Sequence, residues 1–190
     1  MGEGDHRLQI LALLMIGLVA CSSLPMGREL PLVDFGCLQV FPHGYEIHAT
    51  LGVAPAKQEF LLALRSEPQQ FDFALLTAQG MPVYSLSCAV GGTRVSSQTL
   101  VSDNLPPQLL LTYFAIIFMD AGALSEQLQP GWKVHEDTGA RRLTGPGVVD
   151  EIQVRYEGPA PWFGTIELED SLNGVTLRMV ILESSRVLPE

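Results

Sequence analysis

Positive charge is scarce in this chain. Its 190 residues carry 11 Lys and Arg against 21 Asp and Glu, a formal net charge of −10 at pH 7. Such a balance repels phosphate backbones, so nucleic acid is not an expected partner. It also offers no electrostatic hold on anionic lipid headgroups, so any attachment to a membrane must rest on something apolar. Catalytic signatures are missing too. The histidines His6, His43, His48 and His135 show no metal-ligand spacing. There is no Gly-x-Ser-x-Gly elbow, no phosphate-cradling glycine loop and no Cys-x-x-Cys, and Gly91-Gly92 reads as a turn. The acidic pairs Glu136-Asp137, Asp150-Glu151 and Glu169-Asp170 point to opposite faces if they lie on strands, so none forms an acid/base dyad. The expectation is a protein that is not an enzyme and holds neither metal nor cofactor.

Long apolar runs are also lacking. The longest, Leu8 to Ala20, falls short of the roughly 20 residues a spanning helix needs. It ends instead at Leu18-Val19-Ala20-Cys21, the spacing of a bacterial lipobox, which makes residues 1–20 a cleaved signal and Cys21 the site of lipidation. The n-region departs from the usual pattern in setting Glu3 and Asp5 against Arg7. Ser22 and Ser23 follow the cysteine where an Asp would retain the protein at the inner membrane. The expected location is therefore the outer membrane, facing the periplasm, with the acyl chains of Cys21 as anchor. Residues 21–34, with Pro25, Gly27 and Pro31, read as an extended tether, and 35–190 as one domain, expected to be monomeric. Of the three cysteines, Cys37 and Cys88 remain; a disulfide and two buried thiols acting as small apolar side chains both fit an exported protein.

From Phe35 to Leu100 the sequence alternates, with turn residues every ten or so positions, as an antiparallel meander does. Strands are expected near Cys37–Phe41, Tyr45–Val53, Glu59–Leu64, Phe71–Ala78, Pro82–Ala89 and Thr93–Val101. A turn at Gln79-Gly80 puts Leu75 opposite Tyr84, Phe73 opposite Leu86 and Phe71 opposite Cys88 on one apolar face. Asp103 or Asn104 then caps a helix running from Leu105 to Met119, apolar around most of its circumference and ended by Asp120 and Gly122. A core helix inside a curved sheet is the simplest home for it. A second short helix is expected over Ala123–Leu128, before Pro130-Gly131. The last third returns to strands: Val149–Tyr156, then a hairpin at Asn173-Gly174 pairing Leu172 with Val175, Leu168 with Met179 and Ile166 with Ile181. In that register Asp170 lies opposite Leu177, the one misfit.

Lipobox, meander, a Leu105-Pro106-Pro107 start to an apolar helix, Pro130-Gly131-Trp132, Arg141-Arg142-Leu143 and a closing hairpin appear in that order. Over residues 35–183 this resembles a family of uncharacterised bacterial outer-membrane lipoproteins, similar to LolB and LolA, the outer-membrane lipoprotein receptor and its periplasmic carrier. Genes of that family often sit in clusters that make aryl polyene or related glycolipid pigments. The resemblance implies a mainly β (α+β) fold: an unclosed antiparallel half-barrel around a central apolar helix, with a cavity for acyl chains. Its lining would be Phe71, Phe73, Leu75, Tyr84, Leu86, Tyr113, Phe114, Phe118, Trp132, Ile152, Val154, Tyr156, Leu168 and Met179. For any one of these, plain core packing is the simpler reading. Trp162 and Phe163, after Pro159-Ala160-Pro161, are candidates for contact with membrane or a protein partner.

The leading expectation is thus an anchored protein that binds or accepts the acyl or polyene chains of a lipid, glycolipid or lipoprotein for transfer or insertion. A non-transporting envelope assembly or interaction lipoprotein with a filled core is the alternative. A glycolipid hydrolase ranks third, for want of a nucleophile and base.

Overall fold

The computed structural model describes residues 31, 44–54, 58–67, 69–89, 92–97, 106–147, 151–158 and 163–186. The signal and lipobox, Cys37 with its expected strand, and Trp162 lie outside them.

Among the described residues, ten antiparallel strands make one sheet, in the order β5-β4-β3-β2-β1-β10-β9-β8-β7-β6. The first meander comprises β1 (Tyr45–Ala54), β2 (Gln58–Glu67), β3 (Gln70–Leu76), β4 (Pro82–Ala89) and β5 (Gly92–Ser97). The second comprises β6 (Lys133–Asp137), β7 (Ala140–Thr144), β8 (Glu151–Glu157), β9 (Gly164–Asp170) and β10 (Val175–Arg186). The two join where β1 pairs with β10. Among the described residues, β5 and β6 are therefore the opposite edges of an unclosed sheet, and the chain between them passes from one edge to the other. Helices α1 (Pro107–Phe118) and α2 (Ala121–Gln127) lie in that crossing.

Alternation decides which face they cover. Ile47, Ala49, Leu51 and Val53 of β1, Phe60, Leu62 and Leu64 of β2, and Ile166 and Leu168 of β9 are all buried, with more exposed residues between them. α1 touches Phe73 of β3 through Phe114, and reaches Arg141 of β7, Tyr156 of β8 and Asp170 of β9. One helix meets both halves of the sheet only if the sheet curves around it, a shape consistent with a half-barrel. The opposite face is wet, crossed by ion pairs such as Arg142 with Glu151 and Arg178 with Glu167, at 2.9 and 3.5 Å.

The β3–β4 pairing is the one expected from sequence, with Leu75, Phe73 and Phe71 opposite Tyr84, Leu86 and Cys88. The turn itself is wider. Gly80 N–H donates to Thr77 C=O at 2.8 Å, Ala78 and Gln79 are the central residues, and Gly80 takes φ 79°, which glycine adopts without strain.

Several expectations need correction. α1 is capped by Pro106, not Asp103 or Asn104, and Pro106 is extended (φ −64°, ψ 155°). A residue preceding proline is driven out of the helical region, so Pro107 sets the first helical turn. Extended Met119 (ψ 147°) ends α1, and α2 starts at Ala121 because Asp120 caps it, accepting from Gly122 N–H at 2.9 Å and Ala123 N–H at 3.4 Å. The β9–β10 hairpin is shifted by two residues: Asp170 pairs with Val175, Leu168 with Leu177 and Ile166 with Met179, leaving Ser171–Gly174 as the loop. The Asp170 carboxylate takes the N–H groups of Leu172 and Asn173, at 2.8 and 3.2 Å, and so holds those residues in the loop. A two-residue shift keeps every side chain on its face. The β6–β7 hairpin, charged along much of its length, carries no apolar alternation by which to anticipate it.

Candidate functional site: an apolar interior pinned from one side

The inward side chains and α1 form one cluster. Phe71, Phe73, Leu75, Tyr84, Leu86, Tyr113, Phe114, Phe118, Ile152, Val154, Leu168 and Met179 are all buried in it, and Trp132 and Tyr156 pack against it half-buried. The fourteen residues singled out as a lining thus share one interior. Its aromatic centre is Phe73, whose ring meets Tyr84 at 5.3 Å and Phe114 edge-on at 5.6 Å, with Phe118 6.4 Å beyond Phe114. Phe163 is 54 % exposed at the start of β9.

Among the described residues, three polar contacts tie α1 to the sheet, all toward β7, β8 and β9. The last carbonyls of a helix have no partner within it. Here Arg141 Nη1 donates to Ile116 C=O at 2.6 Å and Tyr156 Oη to Ile117 C=O at 2.8 Å. The guanidinium is buried and completes a cage: its Nε donates to Glu136 Oε1 at 2.7 Å and its Nη2 bonds the same oxygen. A cation at a helix C-terminus also complements the helix dipole. Burial pushes the Tyr156 phenol up to about 12, with Arg141 opposing and Glu136 adding.

The third tie lies mid-helix. Tyr113 Oη donates to Asp170 Oδ2 at 2.7 Å, and both residues are buried. Asp170 spends its remaining acceptor capacity on Leu172 N–H, Asn173 N–H and Asn173 Nδ2, the last at 2.7 Å. Burial first, then the charge of Asp170 and the bond to it, raise the Tyr113 phenol far above its ordinary range. The misfit Asp170 was therefore a legible signal in the sequence. Arg141 was not, since a surface arginine leaves the same trace in a strand.

Toward β3 and β4 the helix makes apolar contact. The one buried side-chain polar atom without a hydrogen-bond partner among the described residues is there: Tyr84 Oη, whose pKa burial raises to about 12. Cys88, two strand positions beyond Leu86 on the same face, is disulfide-bonded, with its partner outside the described residues. Among the described residues, no three His, Cys, Asp or Glu side chains gather as metal ligands would, and no helix is long and apolar enough to cross a membrane.

These features define a class: mainly β proteins built from an unclosed antiparallel sheet with two short helices. Within it, residues 47–183 match the model of the family described as Protein of unknown function (DUF3261), and the chain belongs to that family. A search of curated proteins found no match.

Proposed function

We propose that the protein is an outer-membrane-anchored periplasmic lipoprotein, acylated at Cys21, that accepts a hydrophobic cargo such as the acyl chains of a lipoprotein, glycolipid or aryl polyene lipid. The observation that carries this reading is the one-sided fastening of α1. Hydrogen bonds hold it to β7, β8 and β9, while its Phe114 contact with Phe73 of β3 is purely apolar. A seam of that kind can part to admit a chain without stranding a polar group, and the cargo then packs against the apolar side chains that the parting uncovers. Transfer is driven by the difference in apolar burial between donor and acceptor, about 25 cal/mol per Å², with no nucleotide at this step. A half-barrel around a helix is also what the resemblance to LolA and LolB implies.

Native mass spectrometry of the chain purified from a bacterial envelope tests this. Co-purifying acyl lipid, displaced when Leu86→Trp adds bulk at the seam, supports the reading; protein that stays free of lipid after incubation with phospholipid vesicles refutes it. Cys21→Ser should leave the protein unprocessed and unlabelled by a palmitate analogue.

A second reading has its own support. The rings of Phe73, Tyr84, Phe114 and Phe118 pack on one another as in a filled core, and the exposed Phe163 then docks a protein partner.

A further inference from the structure

We propose that Tyr84 is the polar contact for the cargo, its hydroxyl donating a hydrogen bond to the carbonyl of an ester- or amide-linked acyl chain. This rests on the carrier reading above.

Tyr84 is 4 % exposed and its hydroxyl has no partner among the described residues. Among the described residues, the buried polar groups between α1 and the sheet are otherwise paired: Tyr113 with Asp170, Arg141 with Glu136 and Ile116 C=O, Tyr156 with Ile117 C=O. A buried donor left unmade is costly, and native interiors rarely keep one without a reason. Its position adds to the argument. Tyr84 lies opposite Leu75, with its ring against Phe73, on the side of the interior where, among the described residues, no polar contact fastens α1. A ligand entering the seam therefore meets this hydroxyl.

The surroundings select the ligand's chemistry. A carboxylate or phosphate brought beside Tyr84 would need a buried cation, and the buried Arg141 is committed to Glu136 and the end of α1. A sugar would bring several hydroxyls where the apolar neighbours Leu75, Leu86 and Phe73 offer no partners. A bare hydrocarbon would leave the phenol unsatisfied. An ester or amide carbonyl brings one acceptor on an apolar chain. A neutral phenol is the right donor for it, and burial keeps this phenol neutral at periplasmic pH.

The full chain purified from a bacterial envelope and stripped of lipid is loaded with methyl palmitate or with octadecane, each displacing a bound fluorescent apolar probe. The expected result is that both displace it, methyl palmitate about three- to tenfold more tightly, as one net hydrogen bond provides. That preference should vanish in Tyr84→Phe, and the infrared band of a ¹³C-labelled ester carbonyl should move to its non-bonded frequency. The empty Tyr84→Phe protein should melt no lower than the parent, because it loses only an unpaired hydroxyl. Equal binding of the two probes by the parent overturns this inference and leaves the carrier reading standing. Failure of both to bind overturns the carrier reading and this inference with it. A Tyr84→Phe protein that melts several degrees lower gives the hydroxyl a structural partner, and also overturns it.

Discussion

Removing the Asp170 carboxylate should cost far more than an average strand substitution. Its two oxygens accept four hydrogen bonds, from Leu172 N–H, Asn173 N–H, Asn173 Nδ2 and the Tyr113 phenol. Asp170→Ala strands the Tyr113 hydroxyl, which is fully buried, at about 1–3 kcal/mol. The two part-buried N–H groups of the loop add roughly 0.5–1.5 kcal/mol each, giving about 2–6 kcal/mol in all. For a domain of this size that corresponds to a fall in Tm of about 10 °C, a large share of a typical total stability of roughly 5–15 kcal/mol. The partner variant separates the helix tie from the loop. Tyr113→Phe in the Asp170→Ala background removes the stranded hydroxyl, so the double variant should recover about 1–3 kcal/mol relative to the sum of the single losses. Urea denaturation of the four proteins, with m constant, reads the cycle. A loss below about 1 kcal/mol for Asp170→Ala, or strictly additive losses, would refute the network as described.

Other expectations follow from the remaining contacts. Arg141→Ala should destabilise by about 1–3 kcal/mol by leaving the Ile116 carbonyl of α1 without its buried donor, and hydrogen exchange should show loss of protection at the end of α1; Glu136→Gln keeps an acceptor oxygen for the guanidinium and should leave that protection in place, while lowering the urea midpoint because it removes the countercharge of the buried Arg141. Tyr84 and Tyr156 have folded pKa values raised to about 12 from 10.0, so the folded state holds their protons more tightly than the unfolded one. Their contribution is complete below pH 10, declines as pH rises from 10 toward 12, and should appear as falling urea midpoints together with delayed phenolate absorbance in the native protein. Reduction of the Cys88 disulfide should cost about 2–4 kcal/mol, and with Cys21 acylated, non-reducing peptide mapping should find Cys37 as its partner; a free Cys37 thiol would contradict the lipidation of Cys21.

Much of this architecture was legible along the chain because the period of alternation is a local property. Phe71, Phe73 and Leu75 alternate against Tyr84, Leu86 and Cys88, and the pairing found is the pairing that spacing dictates. The apolar circumference of α1 likewise announced a helix buried on nearly all sides, as Leu110, Phe114, Ile116 and Ile117 are. Misreadings fell where a side chain competed with the backbone rule. Asn173-Gly174 favours a two-residue turn, yet Asp170 captures two N–H groups and makes the loop four residues long. Asp103 and Asn104 are good caps, yet the Pro106-Pro107 step determines where helical geometry begins.

By itself the sequence determined the mainly β composition, the inward face of most strands, and the membership of the core, because each follows from the spacing of residues a few positions apart. Only the tertiary structure decided that β1 and β10 join the two meanders, that α1 bridges the open sheet, and that Arg141, Tyr156 and Asp170 hold that helix from one side. Those contacts link residues 25 to 57 positions apart. Their partners are chosen by the geometry of a curved sheet meeting a helix, and no periodicity along the chain encodes that geometry. The hydroxyl of Tyr84, unpaired among the described residues, belongs to the same category, since a tyrosine at an inward strand position looks identical in sequence whether or not its phenol has found an acceptor.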